Sequence, residues 1–409
     1  MVKDSLLRKY ARLVVRVGVN VQPEQEVEVF AAVDQTRLVH MVVAEAYAAG
    51  ASAVRVEWQD EEIVRQNYKN LSLRKLSRVH KWQREKMKQK VKDLPCQIHI
   101  VSDDPDGRNG LDVQKMMKAN AARAKVFKPY RDAMENKYQW VIVAASSEKW
   151  AKKVFPEETT AQAVDHLWKL IFECVYLDEE SDPVENWKKH NERFVEKCKW
   201  LNSQHFRKLR YHSANGTDFE VGLIPTAQFM GGGEYSTQGI YYNPNMPTEE
   251  IYTSPMRGQA QGTLVATKPL SYQGHLIDGF SVTFKDGKVS EVHAKVGEEL
   301  LQKMVSMDEG APYLGEVALV PKESPINRSN VLFYETLFDE NASCHVALGM
   351  GFSNLLEGFD HMTEEEILAA GINDSIIHVD FMVGSPDMEI VGIKEDGTEV
   401  PVFKNGTWA

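Results

Sequence analysis

Two acids and a histidine interrupt an apolar stretch late in the chain. Residues 337–349 read Leu-Phe-Asp-Glu-Asn-Ala-Ser-Cys-His-Val-Ala-Leu-Gly, which sets Asp339, Glu340 and His345 among side chains typical of a core. Carboxylates and imidazoles are the side chains that bind metal ions or transfer protons. This stretch is therefore the first place in the sequence where chemistry is indicated.

A second pair, His378 and Asp380, lies in the apolar run 375–383. The run predicts a strand, and residues two apart on a strand point to the same side of it. We therefore expect the two side chains to share one face. A hydrogen-bonded core histidine or a simple buried pair would have the same pattern, so the pair alone does not decide between structure and chemistry.

Two more acids stand at the start of apolar segments. Glu250 follows a loop with two prolines and an Asn-Pro step, residues 243–249, and comes directly before the expected start of a strand. Glu316 leads into the apolar strand 317–320. Taken singly, each acid is typical of a loop or of the edge of a strand.

Burying these carboxylates close together without cations would be very costly, because like charges repel and desolvation adds to the cost. Divalent ions remove that problem. The set of three Glu, one Asp and two His is roughly what two first-row ions need as ligands. The residue types therefore suit a two-metal site, and ordinary buried pairs remain the alternative.

Strands and helices alternate through the first part of the chain, with a helix at 36–49 between the first two strands. This order predicts a right-handed βαβ unit with parallel strands. The predicted strands are 26–33, 53–58, 97–102 and 140–145. We predict an N-terminal α/β domain with a mostly parallel sheet over residues 1–182. The sequence has neither G-x-G-x-x-G nor a P-loop, which does not support nucleotide binding.

The pattern changes after a polar, proline-containing break at 178–183. A helix at 183–204 is expected to connect the domains, and 210–224 predicts a β-hairpin with Asn-Gly at its turn. Short strands with intervening helices follow. We therefore predict an α+β C-terminal catalytic domain, with mostly antiparallel strands, over residues 183–409.

Composition limits the classes of function. The 409 residues are too many for one ordinary core, and the net charge of −11 argues against nucleic acid or an anionic membrane as a partner. The four cysteines are scattered, which indicates neither a disulfide framework nor a zinc knuckle. The sequence lacks an apolar segment long enough for a membrane span and an N-terminal signal-peptide core. We expect a cytoplasmic protein.

In combination the four clusters resemble the M29 metallopeptidases, the thermophilic-type aminopeptidases. The resemblance extends to the opening of the chain, residues 10–23, and so covers nearly the whole sequence. The motifs that carry it are Asn245-x-Pro-x-x-Glu-Ile-x-x-Ser-Pro255, Gly315-Glu-Val-Ala-Leu-Val320, Phe338-Asp-Glu-Asn-Ala-x-x-His345 and His378-x-Asp-Phe-Met382.

The resemblance implies a cocatalytic pair of divalent metal ions, a peptide substrate with a free N-terminus, and a homodimer with a large internal cavity. Mixed carboxylate and imidazole ligands suit zinc, cobalt, manganese and magnesium alike. By this resemblance, the residues expected to bind the metal ions are Glu250, Glu316, Glu340, His345, His378 and Asp380.

One position departs from the family pattern. The family usually has an active-site tyrosine seven residues after the first histidine, and here that position is Phe352. Tyr252 and Tyr334 are candidates to supply the missing hydroxyl. A metal-binding relative with little activity is therefore one alternative function.

The catalytic residues are expected among the acids. Glu316 or Glu340 could move the proton to the leaving amine, and the sequence leaves open which acid bridges the metals. Asp339 is a candidate to orient a histidine, or to cap a helix over 341–348. Arg257 could meet a substrate carboxylate or pair with an acid. A dinuclear phosphoesterase is the other alternative function, since two such ions also suit phosphate esters.

Overall fold

The computed structural model describes residues 2–272 and 274–409, which group into two compact units. The first comprises Met1–Lys189 and Gly233–Pro247, and the second comprises His190–Gly232 and Thr248–Ala409. The sequence predicted one division, between 182 and 183, and did not predict that 233–247 groups with the first unit. Within the described residues, no helix is long and apolar enough to span a membrane.

The helices predicted at 36–49 and 183–204 are present, and the division between the units falls inside the second of them. The helices are α1 (Asp4–Leu13), α2 (Thr36–Ala48), α3 (Glu61–Asn70), α4 (Leu73–Leu76), α5 (Lys81–Asp93), α6 (Val113–Met134), α7 (Glu148–Val154), α8 (Thr160–Cys174), α9 (Pro183–Gln204), α10 (Glu298–Val305), α11 (Pro325–Ser329), α12 (Thr336–Asp339) and α13 (Glu364–Ala370).

The strands include all of the predicted ones. The first six are β1 (Glu26–Ala32), β2 (Ala53–Gln59), β3 (Cys96–Val101), β4 (Trp140–Ala144), β5 (Lys208–His212) and β6 (Asp218–Leu223). Short strands follow, β7 (Met230–Gly231), β8 (Glu234–Tyr235), β9 (Tyr241–Tyr242), β10 (Asn245–Met246) and β11 (Ile251–Thr253). The rest are β12 (Pro255–Val265), β13 (Leu270–Tyr272), β14 (His275–Lys285), β15 (Lys288–Val296), β16 (Leu314–Leu319), β17 (His345–Gly349), β18 (His378–Met382), β19 (Glu389–Ile393), β20 (Glu399–Lys404) and β21 (Thr407–Trp408).

The first unit has a parallel sheet in the order β10–β4–β3–β1–β2. Its central strands are largely buried, because helices cover a parallel sheet on both faces. Tyr10 of α1 ties this packing to the sheet, since its buried hydroxyl donates to the carbonyl of Ala144 at 2.9 Å. The prediction of an α/β fold with a parallel sheet is confirmed.

The second unit is built from antiparallel sheets, as predicted. One sheet runs β18–β17–β16–β11–β7, and we call it the site sheet. A larger sheet runs β13–β14–β12–β6–β5–β19–β20–β21, with β15 paired to β14. The predicted hairpin is β5 and β6, and Gly216 of its Asn-Gly turn has a φ of +105°, which glycine adopts without strain.

The helix over 341–348, one of the two alternatives considered for Asp339, does not form. The chain forms a 3₁₀ turn at Glu340–Ala342 and then strand β17, whose residues are all buried. β17 lies between β16 and β18, and it forms backbone hydrogen bonds with both of these strands. Pairing on both sides outweighs the local preference, because a buried backbone group without a partner is costly.

Candidate metal centre

The candidate ligands come from adjacent strands of the site sheet. β16 carries Glu316, and its neighbour β17 carries His345. On the other side of β17, β18 carries His378 and Asp380. Because these strands are neighbours, side chains far apart in sequence meet on one face of a single sheet.

Ala347 leaves room for the candidate ligands of the neighbouring strands to approach one another. It is the cross-strand partner of Glu316 on one side and of Asp380 on the other. Directly paired residues project from the same face of a sheet. The alanine carries only a methyl group, so it leaves the space between the two carboxylates open. His345 lies two residues earlier on the same strand and therefore on the same face.

Glu250 reaches the site from the opposite edge of β16. It comes directly before β11, as predicted, and β11 pairs with β16. Glu340 lies in the 3₁₀ turn that precedes β17. The site therefore draws on five neighbouring segments of the second unit.

The ligand atoms form two groups that share one residue. In the first group, His345 Nε2 lies 3.0 Å from Glu250 Oε2 and 3.9 Å from Glu316 Oε1. In the second, His378 Nε2 lies 3.1 Å from Glu316 Oε2 and 3.4 Å from Asp380 Oδ1. Within each group the ligand atoms lie within 4.8 Å of one another. Glu316 thus presents one oxygen to each histidine.

Backbone carbonyls orient both histidines. The Nδ1 atom of His345 lies 3.2 Å from the carbonyl oxygen of Ser343, and that of His378 lies 2.7 Å from the carbonyl oxygen of Met350. A carbonyl only accepts, so each Nδ1 must carry the hydrogen. Each ring then presents Nε2 to the carboxylates, as a proton donor when the ring is charged and as a metal ligand when it is neutral. Such second partners are typical of histidines that bind metal ions.

Without cations, burial and mutual interactions move the pKa values of the cluster away from their ordinary ranges. Burial raises the pKa of Glu316 to about 7, and repulsion from Glu250 and Asp380 adds to the effect of burial. Burial opposes a charge on His345, but the neighbouring carboxylates outweigh it and raise its pKa to about 10. For Asp380, burial is outweighed by His378, and its pKa is lowered.

The residues fit a divalent cation. Asp380 Oδ1 is buried and has no well-formed hydrogen bond among the described residues, with His378 Nε2 at 3.4 Å from it. A cation beside it would satisfy this oxygen and relieve the repulsion between the carboxylates. Together with two imidazole Nε2 atoms, the carboxylates are a donor set that several first-row ions accept.

Glu340 differs from the other predicted ligands. Among the described residues it belongs to neither group of close ligand atoms. Burial raises the pKa of Glu340 well above its ordinary range, and the charges of Glu250 and Asp380 raise it further. Its carboxylate therefore lies within electrostatic reach of the same cluster without being one of its closest members.

Asp339 does not orient a histidine. Its carboxylate accepts the backbone N–H groups of Phe333 at 2.8 Å and Glu335 at 3.1 Å, and so it holds the loop before α12. Between them, Tyr334 has a φ of +59°, which is unusual for an aromatic residue. The alternative role of Asp339 as a helix cap also fails, since it ends α12.

Phe352 lies against the cluster. Its ring centroid is 4.9 Å from that of His378 and 5.5 Å from that of Tyr252, and its backbone N–H donates to Ser254 Oγ at 2.8 Å. The position that departs from the family pattern is thus in contact with a candidate ligand. Arg257 instead forms an ion pair with Glu309 at 3.2 Å, the plainer of its two predicted roles.

Comparison with known proteins places this site in a family. A model of the thermophilic metalloprotease (M29) family matches residues 3–408. Aminopeptidase PepS of Streptococcus thermophilus is 42% identical over 404 residues, which is 98% of this chain and 97% of that protein. Aminopeptidase AmpS of Bacillus subtilis is 41% identical and covers 98% of both.

The chain belongs to the thermophilic metalloprotease (M29) family. It is therefore a metal-dependent hydrolase of peptides. The structure of wild-type AmpT from Thermus thermophilus is similar to this one, with a TM-score of 0.91 at 36% identity and coverage of 99% of each chain. The M29 resemblance inferred from the sequence is confirmed, and the fold agrees with it over nearly the whole chain.

The roles of two further residues were not predicted from the sequence. Asn341 is fully buried, and its side chain contacts the segment before Glu250. His190 of α9 is also buried, and its Nε2 lies 2.9 Å from the carbonyl oxygen of Thr248. Asn341 belongs to the motif over 338–345, which does not indicate its role, and His190 lies in none of the quoted motifs; both act through contacts with segments distant along the chain.

Proposed function

We propose that this M29 protein is a metal-dependent aminopeptidase that releases N-terminal residues from peptides and uses two divalent ions. The observation that carries the proposal is the shared carboxylate of Glu316, with one oxygen directed to each histidine. A carboxylate in this position is suited to bridge two ions. The names of the relatives support the reaction, since PepS, AmpS and AmpT are all called aminopeptidases.

The ligands divide between two positions. Glu250 and His345 would hold one ion together with Glu316 Oε1. His378 and Asp380 would hold the other together with Glu316 Oε2. The bound ions would supply a Lewis acid for the scissile carbonyl and a water molecule of lowered pKa. The native ion can be zinc, cobalt, manganese or magnesium.

Glu340 is the residue that we assign to proton transfer. Both oxygens of Glu316 face histidines, which suits a ligand, whereas Glu340 lies outside the two close groups. A carboxylate beside the reacting centre can accept a proton from water and pass it to the leaving amine from Oε1 or Oε2. Glu316 contributes to catalysis by fixing the two positions relative to each other.

The centre also suits selection of a free N-terminus. A peptide α-amine is cationic near neutral pH and is attracted to the carboxylate of Glu340, which belongs to neither group of close ligand atoms. An N-acetylated peptide lacks both that charge and an amine lone pair. The proposed enzyme therefore acts on unblocked peptides and rejects blocked ones.

Release of free amino acid tests this function. We expect release from an unblocked peptide, little from its N-acetylated form, and none after chelation until metal is restored. Equal cleavage of the blocked peptide would overturn the aminopeptidase assignment. Hydrolysis of a phosphate ester in the same assay, with no peptide cleavage, would favour the phosphoesterase.

A relative with little activity is the second candidate, and a specific contact favours it. Phe352 packs against His378 where the family pattern has a tyrosine. If the phenolic hydroxyl is needed, bound metal without turnover is expected. Measuring metal content and peptide cleavage on the same sample distinguishes this case from an active enzyme.

The homodimer and the cytoplasmic location are proposals that rest on the resemblance and on the sequence. Multi-angle light scattering of the metal-loaded protein tests the first, with twice the chain mass expected. Fractionation of the source cells tests the second. A monomer that cleaves peptides at full rate would remove dimerisation from the functional proposal.

A further inference from the structure

Asn341 connects the segments that carry two of the candidate acids. Its Oδ1 accepts the backbone N–H of Glu249, the residue before Glu250, at 2.7 Å. Its Nδ2 lies 3.4 Å from Oε1 of Glu340 and donates to the carbonyl of Leu337 at 3.1 Å. One side chain therefore touches the backbone beside one acid and the carboxylate of another.

The backbone of Asn341 is itself anchored. Its carbonyl accepts the hydroxyl of Ser324 at 2.6 Å, and both residues are almost completely buried. Ser324 also accepts the N–H of Ile326 at the start of α11. The backbone of Asn341 is thus held by contacts that do not involve either acid. A residue that positions other side chains must itself be held in place.

The segment before Glu250 is held at two successive residues. His190 Nε2 donates to the carbonyl of Thr248, and Asn341 accepts the N–H of Glu249. All of these residues are buried, so water does not compete for the bonds. The strand that follows begins at Ile251, and Glu250 therefore lies between an anchored segment and a paired strand.

The chemistry requires an amide. The Glu249 N–H needs an acceptor, while the Glu340 carboxylate and the Leu337 carbonyl need a donor. An amide supplies both, whereas a carboxylate supplies only the acceptor. Aspartate at this position would also add a like charge beside Glu340, which raises the cost of a buried carboxylate.

We propose that Asn341 is a positioning residue of the metal centre, which fixes Glu250 and Glu340 relative to each other and so sets the affinity for divalent ions. The inference rests on the proposed function, since it assumes that these acids serve a metal centre. It adds a residue that is not among the candidate ligands and does not itself contact the reacting atoms.

Asn341→Asp and Asn202→Asp form a matched pair for the test. The side chain of Asn202 accepts the backbone N–H of Phe229 at 2.8 Å and donates to the carbonyl oxygen of Phe229 at 3.1 Å. Asn202→Asp therefore removes an amide donor from a backbone carbonyl, as Asn341→Asp does. The probe is Zn²⁺ alone, titrated against a chromophoric chelator. We expect Asn341→Asp to raise the Kd for zinc by about 10-fold or more, and Asn202→Asp to leave it within about twofold. Equal Kd values in both variants would overturn the proposal.

Asn341→Ala provides a second variant without a new charge. It loses the bonds to Glu249 and Glu340 together, and we expect weaker zinc binding with recovery of peptide cleavage at saturating zinc. A purely structural amide would lower the melting temperature of both Asn341 variants and leave the Kd unchanged. That result would also overturn the proposal.

Hydrogen exchange in the wild-type protein tests the same contact without substitution. Zinc loading should slow exchange of the Glu249 amide and leave the Phe229 amide unchanged. Unchanged exchange at Glu249 would contradict the inference even if neither variant folds. A wild-type protein that binds no divalent ion overturns the metal centre and this inference together, whereas zinc binding without peptide cleavage overturns the proposed function alone.

Discussion

The Nε2 atom of His378 lies 3.1 Å from Oε2 of Glu316, and the other oxygen of that carboxylate faces the second histidine of the site. Glu316 and His378 are on strands that do not pair with each other, since β17 lies between them. One carboxylate therefore reaches across a whole strand. This relationship ties the two groups of candidate ligands into a single centre.

Substitutions at the shared and unshared ligands should differ in their effect on metal content. Glu316→Gln removes a ligand from both positions, so we expect it to reduce the metal content at each of them. His378→Ala should reduce content at one position and lower activity with it. Metal content by inductively coupled plasma mass spectrometry, with peptide cleavage on the same samples, measures both.

The exposed histidine His293 supplies the control for these variants. It pairs with Glu291 at the surface, and His293→Ala should change neither metal content nor activity. Full metal content and full activity in His378→Ala would remove His378 from the site.

The pH dependence of stability without metal should reveal the buried charge on Glu316. Its folded pKa of about 7 lies above its ordinary value of 4.5, so its favourable contribution is complete below pH 4.5 and is lost as the pH rises through 7. Glu316→Gln does not titrate. The unfolding free energy of the variant minus that of the wild type should therefore increase between pH 4.5 and 8.

Urea unfolding of the metal-free proteins across that pH range measures the difference directly. We expect the difference in unfolding free energy to increase by about 1 kcal/mol or more. The comparison of two proteins cancels the titrating groups that do not interact with Glu316, whereas Glu340, His345 and His378 contribute to the difference because Glu316 shifts their pKa values. A constant difference between pH 4.5 and 8 would mean that the carboxyl of Glu316 is not perturbed.

The space above Ala347 should be essential to the centre. Ala347→Val adds two methyl groups between Glu316 and Asp380, its partners on either side. We expect weaker metal binding, because the carboxylates are pushed apart while the strand pairing is unchanged. Titration with Zn²⁺ and the far-ultraviolet circular dichroism spectrum measure the two effects separately.

Val346→Ile is the matched control, since Val346 lies on the opposite face of the same strand, in the hydrophobic core. It should affect stability and leave zinc binding unchanged. If both variants bind zinc as the wild type does, the face assigned to the site is wrong.

Phe352→Tyr should restore the hydroxyl that the family pattern has at this position. Because the ring packs against His378, the new hydroxyl lies beside the ligands. We expect kcat to increase by about 10-fold, the effect of about 1.4 kcal/mol in the transition state, with metal content unchanged. Steady-state kinetics on an unblocked peptide measures it.

The same change at Phe359, which packs against a separate small core cluster, is the control and should have no effect. An unchanged kcat in Phe352→Tyr would indicate that another group supplies the hydroxyl, or that none is required.

Much of the fold followed from local patterns. The alternation of strand and helix patterns identified the parallel strands of the first unit, and Asn215-Gly216 identified the hairpin of the second. The positions of His378 and Asp380 on one face followed from the two-residue period of a strand. These features depend on neighbours in sequence, which is why sequence patterns contain them.

The features that the sequence did not predict depend on contacts between segments distant along the chain. Residues 345–349 form a strand because β16 and β18 pair with it, and nothing within the segment requires that. The contacts of Asn341 with Glu249 join positions far apart in the chain. Asp339 resembled a histidine partner in sequence, yet it binds a backbone loop. Tertiary packing determines the conformation of these segments and the partners of these side chains.

Anomalous diffraction from crystals grown with manganese or zinc tests the central claim most directly. We predict two anomalous peaks on opposite sides of the Glu316 carboxylate, one beside Glu250 and His345 and the other beside His378 and Asp380. A single peak that does not touch Glu316, or no peak at these residues in metal-loaded active protein, would contradict the shared two-ion centre.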